Sequence, residues 1–203
     1  AGPRGVPDPG RTLGPPSKAV WETWKASTEV FLANGAKPPG WDVPDPSTPP
    51  AGKSSLRLSD GVMLASSADP SFVTGGLSDI NGEPIYSEVR MNKIAFDHVV
   101  DNELYNVEGQ LAYLAKNQRL VMPYGSIEVK VSWRILDPVK DRSIAHRYVQ
   151  TQGVLQSSTG AKRNVRLGMT GMNIMVKVLD QWFWTAFEQV DNGAQTYDRD
   201  FPK

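Results

Sequence analysis

Between residues 127 and 135 the chain alternates strictly, with Ile127, Val129, Val131, Trp133 and Ile135 apolar and Glu128, Lys130, Ser132 and Arg134 polar. Successive side chains of a strand point to opposite faces, so this pattern predicts a strand with one core face and one row of charge and hydroxyl. HRYVQTQGVLQ, about 146–156, predicts a second strand, and GAKRN a turn into VRLGMTGMNIMVKVL. That run alternates less cleanly: Met172, Ile174, Val176 and Val178 oppose Asn173, Met175 and Lys177, and Gly168 and Gly171 suggest a bulge or close backbone contact. DQWFWTAFEQVDN continues as a further strand carrying Trp182, Trp184, Ala186 and Glu188.

Helical spacing occurs twice. In SKAVWETWKASTEVFLANG the positions Val20, Trp21, Trp24, Phe31 and Leu32 predict an amphipathic helix over about 18–33, capped by Ser17 and stopped by Gly35, with its tryptophans packing on a core. In DNELYNVEGQLAYLAKNQ, Leu104, Val107, Leu111 and Leu114 step by three, four and three, which predicts a helix over about 102–117, with a further turn before it from Ala95. Gly109 inside it costs roughly 1 kcal/mol relative to Ala, so either another element approaches closely there or the cost is tolerated.

The front of the chain is different. AGPRGVPDPGRTLGPP and AKPPGWDVPDPSTPPAGKSS concentrate proline and glycine, which exclude helix interiors and central strands. Residues 1–16 therefore read as an extended arm, docked on a partner or without order of its own, and 54–81 as loop with one short helix or strand. SDINGEP, 78–84, resembles a calcium loop but has neither the ligand count nor the distal Glu, and reads as an Asn-Gly turn into the strand EPIYSEVRMN.

Composition narrows the chemistry. The 203 residues suit one sizeable domain with an appendage. With 22 Lys plus Arg against 22 Asp plus Glu, no net field draws the chain to nucleic acid. The absence of cysteine removes disulfides, thiolate metal sites and haem attachment. No apolar run reaches the roughly 18 residues of a membrane span, so membrane insertion is not expected. The first residues lack a signal-peptide core, and Ala1 in place of Met suggests a processed chain.

Few residues point to catalysis. The two histidines are His98 and His146; His98 beside Asp97, Asp101 and Glu103 is a weak candidate for acid–base or metal chemistry, against a solvated helix start. Glu128 and Glu188 form a glycosidase-type pair only if the strands bring them within about 5–10 Å. For binding, Arg134, Asn173, Lys177, Trp182, Trp184, Glu188, Asp191 and Asn192 would form a polar patch bordered by tryptophans, suited to a small polar ligand or sugar. The alternative is a wet sheet face whose charges pair across strands. Trp184 itself is read as core, with Asn173 and Glu188 hydrogen-bonded nearby.

GSIEVKVSWRIL, GMTGMNIMVK and QWFWTAFEQVDN, with the earlier WETWK, resemble a poorly characterised family of bacterial exported proteins, some of whose members carry a c-type haem segment and are labelled cytochrome-like. The likeness covers about 20–192. It implies a secreted or periplasmic protein. Where the family pattern has histidine in Gly-Leu-His-Ile and Glu-His-Val-Asp-Asn, this chain has Asn173 and Gln189. Amides neither titrate near neutral pH nor bind first-row metals well, so neither cofactor nor metal is expected.

Together these readings predict an α+β fold: a mainly antiparallel sheet or sandwich of six to eight strands, two packed helices, the Pro-rich arm (1–16), a single domain (17–192) and a C-terminal tail (193–203). The expected function is a non-enzymatic exported binding or assembly protein, a homo-oligomer or partner subunit contacting its neighbour through arm and tail. The alternative is an enzyme, either a hydrolase using paired carboxylates or an oxidoreductase subunit whose cofactor lies on a partner.

Overall fold

The computed structural model describes residues 3–10, 19–43, 55–59, 78–156 and 162–192. The fold is α+β. Its strands are β1 (Lys25–Ala26), β2 (Ser55–Ser59), β3 (Tyr86–Met91), β4 (Ile127–Ile135), β5 (Gln150–Gln156), β6 (Lys162–Val176) and β7 (Phe183–Glu188). Its helices are α1 (Ser27–Val30), α2 (Lys93–Asp101) and α3 (Val107–Asn117). The strands form a seven-stranded sheet in the order β1-β3-β4-β6-β5-β2, with β7 paired to β6. β1 and β3 are antiparallel, as are β5 and β6, whereas β2 runs parallel to β5. β4 lies beside β6, and Leu136 N–H donates to Arg166 O at 2.8 Å and Lys177 N–H to Ser126 O at 2.8 Å.

The chain divides into two compact units whose boundaries fall inside β3, β4, β6 and β7: residues 1–48, 89–130 and 174–185, and residues 49–88, 131–173 and 186–203. In the first, Val30, Trp41, Met91, Ala95, Phe96, Val99, Leu104 and Tyr105 form the core, with Trp24, Tyr113 and Met122 packed on it. In the second, Ile85, Tyr86, Trp133, Leu136, Tyr148, Val165 and Leu167 are buried. Gly168 of β6 lies where a Cβ would stand 2.9 Å from the Tyr148 ring and 3.0 Å from Leu136. The atoms that crowd it belong to side chains, not to the neighbouring backbone that the sequence suggested.

Three expectations are corrected. The helix over 18–33 does not form; residues 20–23 make a 3₁₀ turn, Lys25 and Ala26 pair with β3, and only Ser27–Val30 is α-helical. The break has a cause, because Glu22 reaches back to Ala19 N–H and Glu29 to Ala26 N–H, both at 2.8 Å, so each acid starts a separate turn. Trp24 and Ala26 are extended between them.

The second helix is split. α2 and α3 flank the turn Asn102–Asn106, and the Asn92 and Asn106 side chains accept from Ala95 and Gly109 N–H at 3.1 and 2.7 Å. The 102–117 reading missed the second cap, since Asn106 fits a helical stripe as well as a stop. Gly109 is required there: a Cβ would stand 2.1 Å from Glu103 O.

The arm is the third correction. Residues 3–10 pack on the first unit of their own chain, with Gly5 N–H donating to Thr23 Oγ1 at 2.9 Å and Trp41 Nε1 to Arg4 O at 3.3 Å. Residues 11–18 and the tail 193–203 lie outside the described residues.

The remaining elements follow the sequence. Asp79 Oδ1 accepts from Asn81 and Glu83 N–H at 2.8 and 2.9 Å, and Gly82 takes φ +80°, so SDINGEP is the expected Asn-Gly turn. The 54–81 stretch contributes β2; its residues 60–77 are outside the described set.

Candidate functional site

Arg134 is the most tightly held of the sequence-selected residues. It leaves the polar face of β4 with only 4% of its surface exposed. Its Nη2 lies 2.8 Å from Asp79 Oδ2 and 2.9 Å from Asp141 Oδ1, Nε donates to Asp79 Oδ2 at 3.0 Å, and Nη1 donates to Tyr148 Oη at 3.2 Å. The guanidinium also stands 5.6 Å above the Tyr148 ring. Burial opposes its charge, but the Tyr148 hydroxyl and the two aspartates outweigh that and raise its proton affinity. Asp141 further accepts from Asp137 N–H at 2.7 Å and from Asn81 Nδ2 at 3.3 Å. Each charge therefore has its partners, and Arg134 ties the 78–84 turn, β4 and the 137–148 segment together within the second unit. The β4 polar face is accordingly not a wet one at this end.

Lys177, in the first unit, is also buried. Its Nζ donates to Asp180 O and lies 5.8 Å from the Tyr124 ring, while Tyr124 Oη donates to Asp180 Oδ1 at 2.5 Å. This locks the connection between β6 and β7. Asp191 pairs with Arg147 at 2.6 Å and accepts from Gln189 Nε2 at 3.0 Å, and Asn192 Nδ2 donates to Thr170 O at 2.6 Å. Asn173 is half-buried on β6.

Trp184 is not core. It is 65% exposed on β7, and the reading that placed it in the interior is overturned. Alternation misled because β7 shows outward side chains at both parities, with Phe183 56% exposed and Phe187 also open. Val178 and Leu179 before them are exposed as well, whereas Trp182 is half-buried. Glu188 is exposed at the end of β7. The first unit thus carries Val178, Leu179, Phe183 and Trp184 open to solvent on one short hairpin.

Glu128 is half-buried on β4, and desolvation pushes its carboxyl above the ordinary range. His98 sits on α2 with its Nε2 buried, its Nδ1 3.3 Å from Asn102 Nδ2 and its ring edge-on to Tyr113 at 5.8 Å. Burial lowers its pKa against the opposing pull of Asp101 and of the Val121 backbone. Among the described residues, no group of three or more His, Cys, Asp or Glu is placed to hold a metal ion. No helix among them is long and apolar enough to cross a membrane.

Sequence reasoning missed Asp79, Asp141 and Tyr148. One signal was present: an arginine on an otherwise half-buried strand face requires acids, and Asp137 and Asp141 follow within seven residues. Comparison with protein-family models, with curated proteins and with solved structures found no match.

Proposed function

We propose that this chain is a non-enzymatic exported binding or assembly protein that contacts a second copy of itself through the hairpin carrying Val178, Leu179, Phe183 and Trp184. The observation behind this reading is the exposure of those four apolar side chains within seven residues. Single exposed apolar residues are ordinary on a protein surface, but four within one short connection and strand, two of them large aromatics, expose more apolar surface than an isolated residue does, which supports a contact role. β7 pairs with β6, and among the described residues it has no second strand partner, which leaves its other edge as a further candidate contact. A formal net charge of zero adds no long-range repulsion between copies. The test is Trp184→Ala: its unfolding free energy should stay within about 0.5–1 kcal/mol of wild type, while light scattering shows loss of self-association. A loss of about 3–5 kcal/mol would restore Trp184 to the core and defeat the reading.

Glu128 supports a second reading, a hydrolase. A carboxyl with raised proton affinity suits a general acid. Turnover of glycosides by the wild type that Glu128→Gln abolishes would favour it over the binding role.

A further inference from the structure

Residues 3–10 are held in an uneven way. Pro3 and 6–10 are exposed, and burial is confined to the step Arg4–Gly5. Arg4 Nη1 lies 3.7 Å from Glu29 Oε1, its guanidinium stands 5.8 Å from the Trp41 ring centre, and its carbonyl accepts from Trp41 Nε1 at 3.3 Å. Gly5 N–H donates to Thr23 Oγ1 at 2.9 Å. Gly5 has φ +77°, and a Cβ there would stand 3.0 Å from Trp41 and 3.7 Å from Trp24. Charge, ring face, backbone carbonyl, backbone N–H and the missing Cβ are therefore all read on two consecutive residues.

The receiving side has supports that do not involve the arm. Glu29 is held by Ala26 N–H at 2.8 Å and by buried Lys25 at 3.4 Å, Lys25 is anchored on Val43 O at 2.8 Å, Trp41 packs at 5.5 Å on Phe96, and Thr23 Oγ1 donates to Val20 O at 2.6 Å. Fixed donors and acceptors around a cation–π ring make a preorganised recognition site rather than incidental packing. Arg4–Gly5 is the one Arg-Gly step in the sequence.

We infer that Thr23, Trp24, Glu29 and Trp41 form a peptide-binding site specific for an Arg-Gly step, filled in this chain by its own Arg4–Gly5. Covalent attachment gives the segment a high effective concentration, so the site stays occupied in cis. When the segment leaves, the same site takes an Arg-Gly step from another polypeptide.

The experiment uses full-length Gly5→Ala, which strains a left-handed position and crowds Trp41, and a fluorescent synthetic peptide AGPRGVPDPG. The variant should keep the wild-type circular dichroism spectrum, and trypsin should cut it after Arg4 on the order of tenfold faster, as expected for the cost of a non-Gly residue at positive φ. It should bind the peptide saturably in anisotropy titrations, whereas wild type takes up little. A peptide with Ala in place of its Arg or of the following Gly should bind at least about tenfold more weakly. A folded Gly5→Ala protein that binds no peptide, or binds the substituted peptides equally well, overturns the proposal. Should Gly5→Ala fail to fold, Arg4→Ala replaces it as host; failure of both to fold makes the segment part of the core and also overturns it.

Discussion

Arg134→Met removes the charge that joins the 78–84 turn, β4 and the 137–148 segment while keeping most of the side chain's length. Asp79 and Asp141 would then be left with side chains only 4% and 2% exposed and no cation between them. Breaking a buried ion pair from one side costs about 3–5 kcal/mol, because the remaining charge is neither solvated nor compensated. Asn81 Nδ2 and Asp137 N–H still serve Asp141, and the two turn N–H groups still serve Asp79, which places the expectation at about 3 kcal/mol, the lower end of that range. Urea unfolding followed by fluorescence reads this as a lower midpoint at unchanged m-value. The triple variant Arg134→Met, Asp79→Asn, Asp141→Asn should recover part of the loss, since no buried charge remains. A loss below about 1 kcal/mol, or a triple variant less stable than Arg134→Met alone, would refute the view that these charges depend on one another.

Two further perturbations follow from the geometry. Gly109→Ala gains helix propensity worth about 1 kcal/mol but drives a methyl to 2.1 Å from Glu103 O, so the net should be a destabilisation of about 1–3 kcal/mol, seen as a lower thermal midpoint. Glu128 has its folded pKa raised above the ordinary glutamate value of 4.5 by desolvation; the folded state thus holds this proton more tightly than the unfolded chain, and the associated stability is present below 4.5 and lost as pH rises through the folded pKa. Glu128→Gln should therefore stabilise the protein at neutral pH, and its thermal-midpoint advantage over wild type should shrink as the solution is acidified toward pH 4.

The sheet was legible where one physical rule governed a long run. β4 alternates over nine residues because Val129, Val131, Trp133 and Ile135 are buried, whereas its pairing with β6 runs through backbone hydrogen bonds that side-chain alternation does not report. The helices were legible as helical residues but not as helices, since Glu22, Glu29 and Asn106 act as caps only once the chain has turned at them. Burial on β7 was misread for a related reason: Phe183, Trp184 and Phe187 are strong strand formers, and the same composition serves an interior strand or an open edge. Arg134 was picked from its place among half-buried neighbours, but its acids lie 55 residues before and 7 after it, separations that no local pattern reports. The arm was read from its prolines, which fix φ and remove donors; docking on the same chain depends on Gly5 and Trp41, 36 positions apart.

The central claim, that the hairpin carrying Phe183 and Trp184 is a contact surface for a second copy, is tested most directly by amide hydrogen exchange of residues 178–188 at low and high protein concentration. Association should bury the open side chains and the outer edge of β7, so exchange in this segment should slow as concentration rises, in step with the weight-average mass, while the Arg134 region stays unchanged. Exchange in residues 178–188 that is the same at every concentration, in a protein whose mass remains that of one chain, would contradict the account.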